Sequence, residues 1–171
     1  MSGTRKCVIT DTSVLINFLA IDQIELLVTH PDFSFVVTDH VREEVTDYYP
    51  EQVSRLDAAL SSGAIVQWSV NTAEEIEIFA ALSAERRFGA GECAAIAAAV
   101  IRGCSIAIDD RAAIKHIGRL YPQIHIETTE TIVVGMIRYN LLEVGQADAF
   151  KNEWETKHRF KLPYASFSDI L

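Results

Sequence analysis

Asp11, Glu44, Glu92, Asp109 and Asp110 are carboxylates placed at turns between apolar runs and helices, and all of them are hard oxygen donors. Asp11 directly follows the β-leaning run Cys7-Val8-Ile9-Thr10, and the Asp109-Asp110 pair follows Ser105 to Ile108 in the same way. Glu44 lies one turn into the helix expected after Phe33 to Thr38. Glu92 opens the alanine-rich stretch Glu92 to Ile101, just after the turn Gly89-Ala90-Gly91. Carboxylates crowded together repel and raise one another's pKa unless a cation is present. A cluster of oxygen ligands suits Mg2+ or Mn2+, which take carboxylates together with waters and phosphate oxygens. Two such ions about 3.5–4 Å apart activate a water and stabilise the leaving oxygen of a phosphodiester. Asp11, Glu92, Asp109 and Asp110 are the candidate metal ligands, and Glu44 joins them as a candidate catalytic carboxylate.

Each residue also has a plainer reading. Asp11 suits a helix N-cap, accepting bonds from the first free N–H groups. Glu92 in a first turn is favoured by the helix dipole, although it heads a helix with almost no polar side. Of Asp109 and Asp110, one is expected to cap the next helix and the other to be a ligand, and spacing does not say which. Glu44 has Glu43 beside it, and acidic helix residues are usually solvated. Ser13 either bonds a ligand or phosphate or simply starts a helix.

The elements that must position these groups alternate. Strands are expected at Cys7 to Thr10, Phe33 to Thr38, Ser105 to Ile108 and Ile124 to Glu127, with Ala64 to Val70 as an edge or peripheral strand. Between them the apolar spacing predicts helices: from Thr12, continuing through Ile21 to Thr29 until Pro31-Asp32; from Asp39 to near Tyr48-Tyr49-Pro50; and from Pro50 to Leu60. Thr72 with Glu75 reads as a capping box for a helix to about Arg86. Glu92 to Ile101 is apolar all round and must be buried, and Gly103 ends it. Further helices are expected to Leu120, from Thr129 to Tyr139, and from Val144 to Lys157. This order predicts an α/β fold, a three-layer α/β/α arrangement with a mainly parallel central sheet. In such a sheet, ligands bind outside the carboxyl ends of the strands. The 171 residues are expected to form a single domain (1–171), with 143–171 a C-terminal helical extension.

Composition excludes several classes. No apolar run approaches the roughly 20 residues of a membrane span, and the opening M-S-G-T-R-K carries no export signal, so no membrane is expected and the cytoplasm is. Cys7, Cys93 and Cys104 are scattered among apolar residues and read as small buried hydrophobes rather than a disulfide frame or zinc site. The net charge of −9 argues against broad attraction to nucleic acid. It is compatible with nucleic acid if part of that charge is concentrated where cations neutralise it.

Four motifs in order, D-T-S-V-L-I, V-R-E-E-V, G-A-G-E-C-A-A-I-A-A-A and I-A-I-D-D-R-A-A, resemble the PIN-domain proteins, closest to the branch with a G-E-x-x-A-I-x-x-A helix and a double aspartate. The resemblance extends over nearly the whole chain. It implies a Mg2+- or Mn2+-dependent nuclease cutting single-stranded RNA, with Asp11, Glu44, Glu92 and Asp109 or Asp110 as its successive acids. It also implies an antitoxin protein as partner, since many such proteins are toxins of toxin–antitoxin pairs, and a homodimer. Arg111, Lys115 and Arg119 recur at i, i+4 and i+8 and either bind RNA phosphates, with Ser13, or form a solvated face. Lys157-His158-Arg159-Phe160-Lys161 mixes basic and aromatic residues as single-strand binders do, or is an ordinary helix end. A non-catalytic binding module and a Mg2+-dependent phosphohydrolase are the alternatives. Against the latter, Asp11-Thr12-Ser13 lacks the second aspartate of a D-x-D phosphatase.

Overall fold

Val8 and Ile9 are chain neighbours and both are fully buried, in cores on opposite sides of one sheet. Alternating side chains can do this only in a strand covered on both faces, which puts β1 (Lys6–Thr10) at the centre. β2 (Phe33–Thr38), β3 (Val66–Trp68), β4 (Ser105–Ala107) and β5 (Ile126–Glu127) complete the sheet in the order β3-β2-β1-β4-β5. Every pairing is parallel. The computed structural model describes residues 4–46 and 48–171. Residues 1–3, part of the opening stretch read for an export signal, and Asp47, near the expected end of the helix from Asp39, lie outside them.

Two helical layers flank the sheet. Val8, Phe35, Val37 and Ala107 pack against α1 (Thr12–Ala20), α2 (Ile24–Val28), α3 (Asp39–Glu44), α4 (Pro50–Ser61), α8 (Thr129–Arg138) and α9 (Val144–Lys157). Ile9, Val36 and Ile106 pack against α5 (Ala73–Ala84), α6 (Ala90–Arg102) and α7 (Arg111–Leu120). The expected three-layer α/β/α fold is therefore present. Cys93 to Ala98 are all at 0% exposure, so the alanine-rich helix lies buried as its composition requires, and Gly103 closes it at φ +66°. The Thr72–Glu75 capping box is also present. Glu75 does more than cap, because its buried carboxylate meets Arg102 at 2.5 Å, and that guanidinium lies 4.5 Å above the Trp68 ring. One ion pair thereby ties α5, the end of α6 and the edge strand together.

Some boundaries differ from the sequence expectation. The helix expected to run on through Ile21 is interrupted at Asp22, φ +58°, and restarts at Ile24. The helix from Asp39 ends already at Glu44. Ile124 to Glu127 contributes only Ile126–Glu127 to the sheet, at one edge, while Val66–Trp68 forms the other edge as expected. All three cysteines are free thiols. Trp154 of α9 is fully buried and donates its indole N–H to the Asn17 carbonyl at 2.7 Å, so the last long helix is fastened to the first. Among the described residues no helix is long and apolar enough to cross a membrane.

Candidate active site

The chain steps outward from β1 to β2 and β3 on one side, then crosses to β4 and β5 on the other. Between β1 and β4 the winding reverses, and the connections leaving their carboxyl ends diverge, opening a crevice. Asp11 leaves β1 there, donating its backbone N–H to the Ala107 carbonyl at 2.8 Å, and Asp109 follows two residues after Ala107.

The two oxygens of Asp11 are in different situations. Its Oδ2 caps α1, accepting the Ser13 N–H at 3.2 Å and the Ser13 hydroxyl at 2.7 Å. Its Oδ1 is buried without a hydrogen-bond partner, and the residue is only 3% exposed. Burial raises the Asp11 pKa above the usual carboxylate range, the Ser13 bonds oppose that rise, and the nearby Glu44 charge adds to it. An unpartnered buried carboxylate oxygen costs free energy, and a cation is one partner that would satisfy it.

The other acids surround it. Asp109 is held from two sides: its Oδ1 accepts the Thr129 N–H at 2.8 Å, and its Oδ2 accepts the Thr129 hydroxyl at 2.6 Å and the Asn17 amide at 3.0 Å. Its pKa is raised mainly by burial and further by Asp11. Asp110 caps α7, its Oδ1 accepting the Ala113 N–H at 2.7 Å. Asp110 is thus the cap of the pair, while Asp109 is bonded across to α1 and α8. Glu92, at the start of α6, bonds back to the Gly89 N–H at 2.9 Å. Burial raises its pKa, and Asp11, Asp110 and Glu44 raise it further. The mutual influence of these charges sets the five carboxylates in one electrostatic neighbourhood.

Glu44 arrives from α3 and bridges two elements, accepting the Thr12 hydroxyl and the Gly91 N–H, the latter at 2.7 Å. Gly91 has to be glycine for this approach, because a Cβ there would lie 2.5 Å from Glu44 Oε2. Among the described residues no three Asp, Glu, His or Cys side chains are already drawn together as a metal centre. Each of the five carboxylates instead accepts a backbone N–H. The all-oxygen donor set and the orphaned Asp11 Oδ1 nevertheless fit Mg2+ or Mn2+.

The basic candidates divide. Arg111 lines a groove of about 220 Å³ with Asp109, Thr128, Phe160 and Lys161, so part of the basic–aromatic C-terminal segment borders the site. Lys115 and Arg119 instead line a second groove. At 3.6 residues per turn each four-residue step turns about 40°, so Arg111 and Arg119 diverge by about 80° and do not form one stripe. Ser13 is exposed, and its hydroxyl is engaged by Asp11. Asn17, Thr129, Thr12 and Gly91 had no role assigned from sequence. Asn17 was discoverable, since a polar residue on the otherwise apolar buried side of a helix calls for a partner.

Over residues 7–142 the chain matches the family model for the PIN domain. Its fold matches a chain in the crystal structure of VapBC2 from Rickettsia felis bound to a DNA fragment from its promoter, with a TM-score of 0.51 at 14% identity, covering 71% of this chain and 98% of that one. No curated protein matches.

Proposed function

The chain belongs to the PIN-domain family, and from that premise we propose that it is a Mg2+- or Mn2+-dependent endoribonuclease hydrolysing phosphodiester bonds of single-stranded RNA. The observation that carries this is the buried, unpartnered Oδ1 of Asp11 at the strand crossover, with four further carboxylates close enough to perturb one another. Asp11, Glu92, Asp109 and Asp110 would hold the ion. When bound, such an ion lowers the pKa of water and offsets negative charge building on the phosphate and the leaving oxygen.

The chain's own residues supply orientation. Thr129 and Asn17 fix the Asp109 carboxylate in one rotamer, while Ser13 occupies Asp11 Oδ2 and leaves Oδ1 to the site. The Gly89 N–H fixes the Glu92 carboxylate at the start of α6. Glu44 braces the α1 and α6 N-termini against each other through Thr12 and Gly91. Ser13, Arg111 and Lys115 contact the RNA in this reading, Arg111 from the groove beside Asp109. Residues 1–171 act as one PIN-like domain whose extension, 143–171, is fastened by Trp154. We further place the protein in the cytoplasm as a homodimer and as the toxin of a pair with an antitoxin protein. Exposed apolar side chains such as Ile76, Tyr139 and Leu141 are available for such contacts.

The test is cleavage of an end-labelled single-stranded RNA with Mg2+, with Mn2+ and with EDTA. Cleavage in either metal and none in EDTA is expected. Cleavage indifferent to EDTA, or none with any divalent ion, would refute the reading.

A further inference from the structure

The second groove beside α7, about 360 Å³, is lined by Arg87, Ala112, Lys115, His116 and Arg119. Apart from one alanine every lining side chain is basic, in a chain of net charge −9. Arg87 is 67% exposed and meets Glu85 only at 4.0 Å, and among the described residues neither Lys115 nor Arg119 has a carboxylate partner. His116 is buried against Phe88, with Nε2 2.9 Å from Glu85 and Nδ1 3.0 Å from the Arg119 guanidinium. A guanidinium only donates, so Nδ1 accepts and the ring proton sits on Nε2, donating to Glu85. The imidazole therefore holds Arg119 in place from behind. A guanidinium held in this way loses little freedom when it forks onto a phosphate.

The groove also lies beside the carboxylates along the chain. Arg87 comes two residues before Gly89, whose N–H holds Glu92, and Ala112 comes two residues after Asp110. We propose that this groove is a phosphate subsite for the RNA strand, taking backbone phosphates next to the one at the carboxylates. For its substrate the proposal rests on the nuclease reading. Phosphates need only positive charge and N–H donors. A protein partner would need apolar side chains to bury, and the groove offers none beyond Ala112. Concentrating cations here also resolves the conflict between an acidic chain and a polyanionic substrate.

The test is binding of a fluorescein-labelled 12-nucleotide single-stranded RNA to the full chain in EDTA, followed by anisotropy at several salt concentrations. The comparison is between wild type and the triple variant Arg87→Gln, Lys115→Gln, Arg119→Gln. All three side chains are exposed, so the variant is expected to fold, checked by circular dichroism. The expected result is about tenfold weaker binding at low salt and a log–log salt slope flatter by about 0.7 for each cation removed. Wild-type affinity and slope in the variant would overturn the subsite. The two readings fail separately. If the wild type cleaves RNA with metal but the slope is unchanged, the groove alone is wrong. If the wild type cleaves nothing and the slope still flattens, the nuclease reading alone is wrong.

Discussion

Asp11→Asn exchanges a buried carboxylate for an amide of the same shape, and the two oxygens of Asp11 say what that should do. The asparagine oxygen can still accept the Ser13 N–H and hydroxyl, so the cap on α1 survives. What disappears is a negative charge at 3% exposure with one oxygen lacking any partner, among other carboxylates. The asparagine Nδ2 inherits the unpartnered position, so the gain comes from losing a buried charge repelled by Glu44, which costs on the order of 1–3 kcal/mol more to bury than a neutral amide. The variant in EDTA at neutral pH should therefore be more stable than wild type by about 1–3 kcal/mol, or roughly 3–10 °C in Tm for a chain of this size. The sign with pH follows from the raised folded-state pKa: the folded carboxyl binds its proton more readily than the unfolded one. Wild-type stability relative to the variant is thus fully present at acid pH and is lost as pH rises through the folded-state pKa. Divalent metal should reverse the order, adding about 2.7 kcal/mol to wild type at a hundredfold excess over its dissociation constant and little to the variant. Differential scanning fluorimetry across pH, with EDTA and with Mn2+, reads all of this. A variant less stable than wild type in EDTA at neutral pH would refute the reasoning and leave Asp11 a helix cap.

Other substitutions probe the neighbouring groups. Gly91→Ala places a Cβ 2.5 Å from Glu44 Oε2, and the flexible glutamate can yield; Tm should shift by no more than about 3 °C, since alanine also favours the helix, while RNA cleavage falls at least about tenfold as Glu44 is displaced. Thr129→Val removes the hydroxyl that bonds Asp109 at 2.6 Å, so urea unfolding should show a loss of about 1–2 kcal/mol, with reduced cleavage as Asp109 loses its fixed rotamer. Glu75 is held at a pKa of about 2, chiefly by Arg102. Its contribution is present above the ordinary carboxylate range and lost as pH falls through about 2, so Glu75→Gln should cost about 2 kcal/mol at pH 7 and steadily less as pH falls toward 2. Trp154→Phe loses the bond to the Asn17 carbonyl and leaves a void, costing about 2–3 kcal/mol by denaturant unfolding; an unchanged midpoint would mean that the C-terminal extension is no part of the folding unit.

The layered fold was legible because the strands are short apolar runs and the buried helix Ala90–Arg102 is alanine-rich on every side. Ends of elements were less so. Asp22 and Glu44 end helices through backbone conformation and tertiary packing, neither of which has a strong periodic signal. The positions of Asp11 and Asp109 were legible because the α/β order itself puts residues that follow these strands at the crevice. Which of Asp109 and Asp110 caps the next helix was not legible, because either aspartate after the strand could do so. It took the hydrogen bonds to separate Asp110, bonded to Ala113, from Asp109, bonded to Thr129. Asn17 and Thr129 act on Asp109 across 92 and 20 residues of chain, which no local pattern encodes. The apparent stripe Arg111, Lys115 and Arg119 was split by helix geometry, and its two ends came to border different grooves.

The most direct measurement is single-turnover cleavage of labelled single-stranded RNA in Mn2+ by wild type and by Asp11→Asn, with folding of both verified in the same buffer. The expected result is cleavage by the wild type and a fall of at least about a hundredfold in a variant that is fully folded, since a first ligand is lost where outer-shell changes alone cost 10–100-fold. Equal cleavage by the two proteins would contradict a catalytic centre built on Asp11.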